Sequence, residues 1–291
     1  MSTNIKNLGS IAVLTDSCAD LSPQVAEENG IFVIPLSVVY PEKVYADGVD
    51  ITAEDVYRRM PEEVPTTTLP SGEIIEDTFR KIRDKGYKYV IALIFSGGIS
   101  GTYNMVRMLG KEAEGLEVRV FDTKTASLGL GMIALQTVRY IRQGRSFLEM
   151  QEIVRSLIRN TKVFFCVDTL EYLKRGGRIG KITCMAGSVL QIKPIITFSE
   201  EGELINVAKA RGRLRSIEDI TERVKRLVPD KRRYNLAMAH GGCPEDLEIV
   251  RKSLSTQIRK SAMFCESAID SVLACHVGPK LIGAGVQILE F

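Results

Sequence analysis

The chain has 291 residues, 45% of them apolar and 26% charged, with a net charge of +3 at neutral pH. This length exceeds one compact core of common size and predicts two domains; no apolar run approaches the roughly 20 residues that span a bilayer, and the small charge, without a basic stripe, argues against a nucleic-acid partner. Met1 to Ser10 carry no basic-then-apolar signal pattern, so a cytoplasmic protein without stable membrane insertion is expected, and the six cysteines form no Cys-x-x-Cys pair and read as small buried apolar residues.

The run Ile11 to Leu14 predicts a buried strand, ending in the polar set Thr15-Asp16-Ser17-Cys18-Ala19-Asp20. In open α/β sheets ligands gather at that strand edge. A short helix from Val25 to Asn29 precedes a second apolar run, Ile31 to Leu36, and a turn-rich stretch through Asp47-Gly48 leads to a helix from Ala53, stopped by Pro61. Thr66-Thr67-Thr68-Leu69-Pro70-Ser71 is a hydroxyl run between two prolines. It is either an N-cap with extra threonines or a donor loop facing the sheet edge. The next helix places Ile74, Ile75, Phe79 and Ile82 on one face and leads to the strand Tyr89 to Phe95.

After that strand comes Ser96-Gly97-Gly98-Ile99-Ser100-Gly101-Thr102-Tyr103, a hydroxyl-rich glycine turn opening a helix. Such a turn offers N–H groups and hydroxyls beside a positive helix end, which suits a carboxylate. The absence of Lys or Arg between Tyr89 and Asn104 excludes a P-loop. The plain alternative is a tight strand-to-helix connection with nothing bound. A serine nucleophile elbow is nearly matched at Ser100, with Gly98 two before it but Thr102 two after, and around Ser96 the leading position is Ile94. A serine-dependent acyl hydrolase is therefore the alternative function.

Val118 to Phe121 is the next strand, Leu128 to Val138 mark a long helix, and Ser146 with Glu149 form a capping box for another through Ile158. Alternating strands and helices predict a mainly parallel sheet to this point. Past Val163 the pattern changes: Ile195 to Phe198 and Leu204 to Val207 flank a hairpin turn at Glu200-Glu201-Gly202. Later apolar runs, including Val272 to Cys275, alternate with amphipathic helices. The expected fold class is α/β in two domains: residues 1–165 an N-terminal, mainly parallel α/β/α domain, and 166–291 a C-terminal α+β domain with a mainly antiparallel sheet, the ligand between them. The two histidines, His240 and His276, each end an apolar run before a glycine turn and read as strand-end imidazoles able to donate to a ligand oxygen. Tyr172 to Lys181 holds Lys174, Arg175, Arg178 and Lys181 around three glycines, either a solvated loop or a docking surface for a phosphate-handling partner.

Together these segments resemble the DegV family of bacterial fatty-acid-binding proteins along essentially the whole chain. Thr15 to Asp20 is similar to the family's Thr-Asp-Ser-Thr-Ala-Asp, Asp47-Gly48 to its Asp-Gly turn, and Thr66 to Ser71 to its Thr-Thr-Ser-Gln-Pro-Ser loop. Ser96 to Tyr103 is similar to Ser-Ser-x-Leu-Ser-Gly-Thr-Tyr, Tyr172 to Ile179 to Leu-x-Lys-Gly-Gly-Arg-Ile, and His276-Val277-Gly278-Pro279 to His-x-Gly-Pro. The resemblance implies the acyl-binding subunit of a fatty acid kinase system: a carrier, not a catalyst, that takes no cofactor. It would bury one long-chain fatty acid of palmitate, stearate or oleate type and present the carboxylate to a separate ATP-dependent kinase, which makes an acyl phosphate for phospholipid metabolism. Carried over, Thr67 and Ser96 hold the carboxylate with His276 nearby, and Arg175 or Arg178 faces the kinase. Leu69 stands where the family has Gln and Gly97 where it has a second Ser, so Ser100 or the Gly97 backbone takes over if that serine is the ligand. An apolar tunnel is expected from Phe95, Ile99, Leu128, Met132, Phe165 and Leu190.

Overall fold

The computed structural model describes residues 10–182 and 192–291. In chain order the first half holds β1 (Ile11–Asp16), α1 (Pro23–Asn29), β2 (Ile31–Ile34), β3 (Ser37–Tyr40), β4 (Lys43–Ala46), α2 (Ala53–Arg59), β5 (Thr66–Thr68), α3 (Gly72–Asp84), β6 (Tyr89–Ile94), α4 (Thr102–Glu112) and β7 (Glu117–Asp122). Four of these strands pair in parallel in the order β2-β1-β6-β7. Every residue of β1, and every residue of β6 after Tyr89, is buried, as continuous apolar runs covered on both faces require. Beside this sheet, β4-β3-β5 form a small antiparallel sheet. The threonine run at 66–68, expected as a loop, is its edge strand: β-branched residues suit a pleat, and β5 finds β3 already paired on its other side only.

Two helices, α5 (Leu128–Arg142) and α6 (Phe147–Arg159), lead into the second half. There follow β8 (Thr161–Cys166), α7 (Glu171–Arg175), β9 (Ile192–Phe198), β10 (Leu204–Arg211), α8 (Arg213–Leu227), β11 (Tyr234–His240), α9 (Pro244–Ser253), α10 (Ser255–Lys260), β12 (Met263–Ala268), α11 (Ser271–Val277) and β13 (Ile282–Ile288). The six strands order as β10-β9-β8-β13-β11-β12, antiparallel except for β11 with β12. The boundary expected at 165/166 falls within β8, a strand of this second sheet. The expected capping box of α6 is present, with Ser146 and Glu149 each satisfying the other's backbone N–H.

Residues Val272 to Cys275 are helical, not a strand. Asp270 accepts the N–H of Leu273 and so starts α11, and Val272, Ala274, Cys275 and Val277 are its buried face. Helix α5 is the joint of the molecule. It is buried from Leu128 to Val138 and packs on β1 and β6 of the first sheet and on β11, β13 and β8 of the second. A helix apolar on all sides belongs between two layers. No helix among the described residues is long and apolar enough to cross a membrane. Five cysteines, 18, 166, 243, 265 and 275, are free thiols; Cys184 lies outside the described residues.

Candidate functional site

A cavity of about 250 Å³ lies where the two sheets and α5 meet. From the first half it takes Leu36, Phe95, Ile99 and the start of α5; from the second, Val163, Phe165 and the small residues Ala237, Ala239, Gly283 and Gly285. The small residues face α5 from β11 and β13, where larger side chains would fill the space. Its polar groups are few: Thr67, Thr68, Ser100, Ser127, Arg178 and His276.

Thr67 and His276 form the polar centre. Thr67, the inward residue of β5, has its Oγ1 2.8 Å from Nε2 of His276. His276 sits in the last turn of α11 rather than at a strand end. Burial, and then the nearby positive charge of Arg178, push its pKa down to about 4, so the ring is neutral at physiological pH. Its Nδ1 is buried without a hydrogen-bond partner, packed against Gly176, where a Cβ would collide with the ring nitrogen. A proton on Nδ1 would be a buried donor without an acceptor, so the proton belongs on Nε2, donated to Thr67 Oγ1. The Thr67 hydroxyl hydrogen is then available to an acceptor in the cavity. Such a neutral donor set suits a carboxylate oxygen.

Ser100 also lines the cavity; its Oγ accepts the N–H of Thr102 and pairs with the Thr102 hydroxyl at 2.9 Å. Arg178 is exposed and lines the cavity, which places it at the mouth, with Nη1 donating to the Gly176 carbonyl (2.6 Å) and Nε to that of Ile99 (3.3 Å). Arg175 points outward in an ion pair with Glu171 at 2.7 Å. Of the expected tunnel residues, Phe95, Ile99, Leu128 and Phe165 line the cavity; Met132 is buried behind the wall and Leu190 lies outside the described residues.

Ser96 and Gly97, expected to hold the ligand, are not part of the cavity wall. Ser96 is fully buried and donates its hydroxyl to the Gly202 carbonyl at 2.6 Å, while the Gly97 N–H donates to Asp122 Oδ1 at 2.9 Å. A Cβ on Gly98 would meet the backbone of Gly202. The glycine turn is thus shaped by the β9–β10 hairpin lying on it, with Lys124 adding a bond to the Glu201 carbonyl. Its glycines serve the contact between the two halves, a purpose that sequence spacing cannot separate from an anion cradle.

No serine–histidine pair exists among the described residues: Ser96 bonds Gly202, Ser100 bonds Thr102, and His276 bonds Thr67. His240 accepts the Cys243 N–H on Nδ1 and caps the turn after β11. Nor does any group of three His, Cys, Asp or Glu side chains among them fit a metal ion.

One buried polar group escaped the sequence reading. Asp20 accepts the Asp270 N–H and the Ser127 hydroxyl, and Asp47 accepts both the N–H and the hydroxyl of Ser271. These carboxylates pin the start of α11, and hence His276, to the first half of the chain. Burial raises Asp20 to about 7 and Asp270 well above the carboxylate range, and the two side chains lie close enough for a protonated Asp270 to donate to Asp20. Asp20 and Asp47 stand in polar segments that the sequence marks out, but nothing local gives either of them its long-range partner.

The model of the DegV family, described as one of uncharacterised proteins, matches residues 10–288. The chain belongs to the DegV family. A DegV domain-containing protein of Clostridium perfringens is 33% identical over 279 residues, covering 95% of this chain and 98% of the relative. Among solved structures, a fatty-acid-binding DegV family protein of Thermus thermophilus superposes with a TM-score of 0.90 at 29% identity, covering 96% of this chain and 100% of that one. A stearic-acid-binding protein of Eubacterium ventriosum gives 0.84 at 29%, covering 96% and 98%. Both structures share this chain's fold over nearly its whole length.

Proposed function

We propose that this DegV protein is a carrier that buries one long-chain fatty acid in the cavity between its sheets. The observation that carries the reading is the cavity itself: an apolar interior with Thr67, Ser100, His276 and Arg178 gathered where a carboxylate would sit. Its similarity to DegV proteins that bind fatty acids supports the same conclusion. An acyl chain of about 16 carbons, at about 0.8 kcal/mol per buried methylene, gains up to roughly 12 kcal/mol before association costs. The chain anchors the ligand and the polar end orients it. Among the described residues no serine hydroxyl is paired with a histidine, since Ser100 bonds Thr102 and His276 bonds Thr67, and a binding role needs no such pair.

The carboxylate, held by neutral hydroxyls, keeps an oxygen free for transfer of a phosphoryl group from an ATP-dependent kinase partner. Arg175, exposed beside the mouth-lining Arg178, is the partner-facing cation in this reading. The test is extraction of the purified protein into organic solvent and mass spectrometry. A stoichiometric fatty acid, or uptake of added palmitate or oleate, is expected; neither one appearing overturns the proposal.

A further inference from the structure

The inner wall of the cavity is built in register. Val163 of β8 stands opposite Gly285 of β13, which stands opposite Ala237 of β11, and all three line the cavity. Side chains alternate along strands, so the residues two positions on share this face, about 7 Å away. They are Thr161, Gln287 and Asn235, again in register with one another. None lines the cavity and all are buried.

These residues and Gln136 of α5 make a hydrogen-bonded network, in which the buried Asn235 Oδ1 is left without a partner. Asn235 Nδ2 donates to Gln287 Oε1 at 2.8 Å and to Gln136 Oε1 at 3.0 Å; Gln287 Nε2 donates to Thr161 Oγ1 at 2.9 Å; Thr161 donates to the Leu157 carbonyl at 2.7 Å. Between network and cavity lies the fully buried Met132, whose Cε is 3.4 Å from the place a Cβ on Gly285 would occupy. The lining therefore passes from glycine and alanine, through one methionine, to hydrogen-bonded amides.

We infer that Asn235, Gln287, Gln136 and Thr161 set the upper limit on the length of acyl chain this protein accepts, with Met132 as the yielding contact before that limit. The inference rests on the fatty-acid reading given above. A thioether side chain re-packs readily, so a growing chain can displace Met132. Going further would part buried amides from their partners, and a buried methylene gains less than such a group loses. An all-apolar end would instead yield gradually with each added carbon.

The test is equilibrium binding of a series of saturated fatty acids from about 12 to about 24 carbons, where affinity should climb with each methylene and then break sharply. In the triple variant Gln136→Met, Asn235→Leu, Gln287→Met, near-isosteric and without amides, Thr161 keeps its bond to Leu157. Chains two to four carbons beyond the wild-type break should bind at least about tenfold tighter there, moving the break to longer chains, with the affinity of chains short of the wild-type break little changed. Should the triple variant not fold, Gln136→Met decides, because Asn235 retains Gln287; a shift of about threefold in the same direction is expected. An affinity that climbs without a break, or a break unmoved in the folded variants, overturns this inference alone. A wild-type protein that binds no member of the series overturns the fatty-acid reading and this inference with it.

Discussion

Thr67 Oγ1 and His276 Nε2 meet at 2.8 Å although 209 residues separate them in the chain. The bond joins an edge strand of the small sheet to the last turn of α11, and it turns the Thr67 hydroxyl hydrogen towards the cavity. Removing either partner should therefore weaken fatty-acid retention alike. A hydrogen bond to a carboxylate is worth about 1.5–3 kcal/mol, or roughly 10- to 150-fold in affinity. Competition binding with a fluorescent fatty acid should show losses of this size for Thr67→Ala and His276→Ala, and near wild-type affinity for Thr67→Ser. Equal affinity in all four proteins would refute the head-group assignment.

Gly176 has an ordinary helical φ, so alanine there costs nothing in the backbone itself. Its Cβ would instead collide with His276 Nδ1. Gly176→Ala should reproduce the retention loss of His276→Ala while moving the urea midpoint little. Wild-type retention would mean that the ring is not held where we place it.

Ser96 acts on the contact between the halves. Its hydroxyl donates to Gly202 in a buried setting and accepts the N–H of the exposed Gly98. Ser96→Ala leaves the Gly202 carbonyl without that donor and should lower stability by about 1–3 kcal/mol, read from urea unfolding. Ser100→Ala, at the cavity wall, should lower retention more than stability. The reverse pattern would return Ser96 to the ligand.

Two buried groups give opposite pH slopes. His276 falls from 6.5 when unfolded to about 4 when folded, so the unfolded chain binds more protons between these values. Its contribution is present above about pH 6.5 and lost as pH falls towards 4, about 3 kcal/mol in all. Asp20 is raised from 3.8 to about 7, so the folded chain holds the extra proton and stability declines as pH rises across that window. Asp270→Asn keeps the helix cap and gives Asp20 a permanent donor. Its stability relative to wild type should increase from pH 5 to pH 8 in urea titrations, whereas parallel curves would exclude a proton donated from Asp270 to Asp20.

Arg175 and Arg178 separate docking from holding. Arg175→Ala removes an exposed charge paired with Glu171 and should leave retention unchanged while slowing phosphorylation by a partner kinase. Arg178→Ala removes a residue of the mouth that also bonds Ile99 and Gly176, and should lower both. Unchanged phosphorylation in Arg175→Ala would remove this surface from the docking model.

The sequence alone determined the parallel first half, the antiparallel second half, the capping box at Ser146 and the polar segments that belong to the site. Those signals are local: apolar period, caps, turn residues. Thr67, Ser100 and His276 were legible for the same reason, as hydroxyls and an imidazole beside turns. Only the tertiary structure decided which of them face the cavity. Ser96 and Gly97 looked like ligands because a glycine turn before a helix has one appearance whether it cradles an anion or receives a hairpin; Gly202, 106 residues away, makes it the second. The carboxylates that pin α11 and the amides behind Met132 are single residues scattered over four or more elements, and no local pattern records which strand will lie beside which. Register and sheet order bring them together, and these are set by the burial of whole faces rather than by any one residue's neighbours.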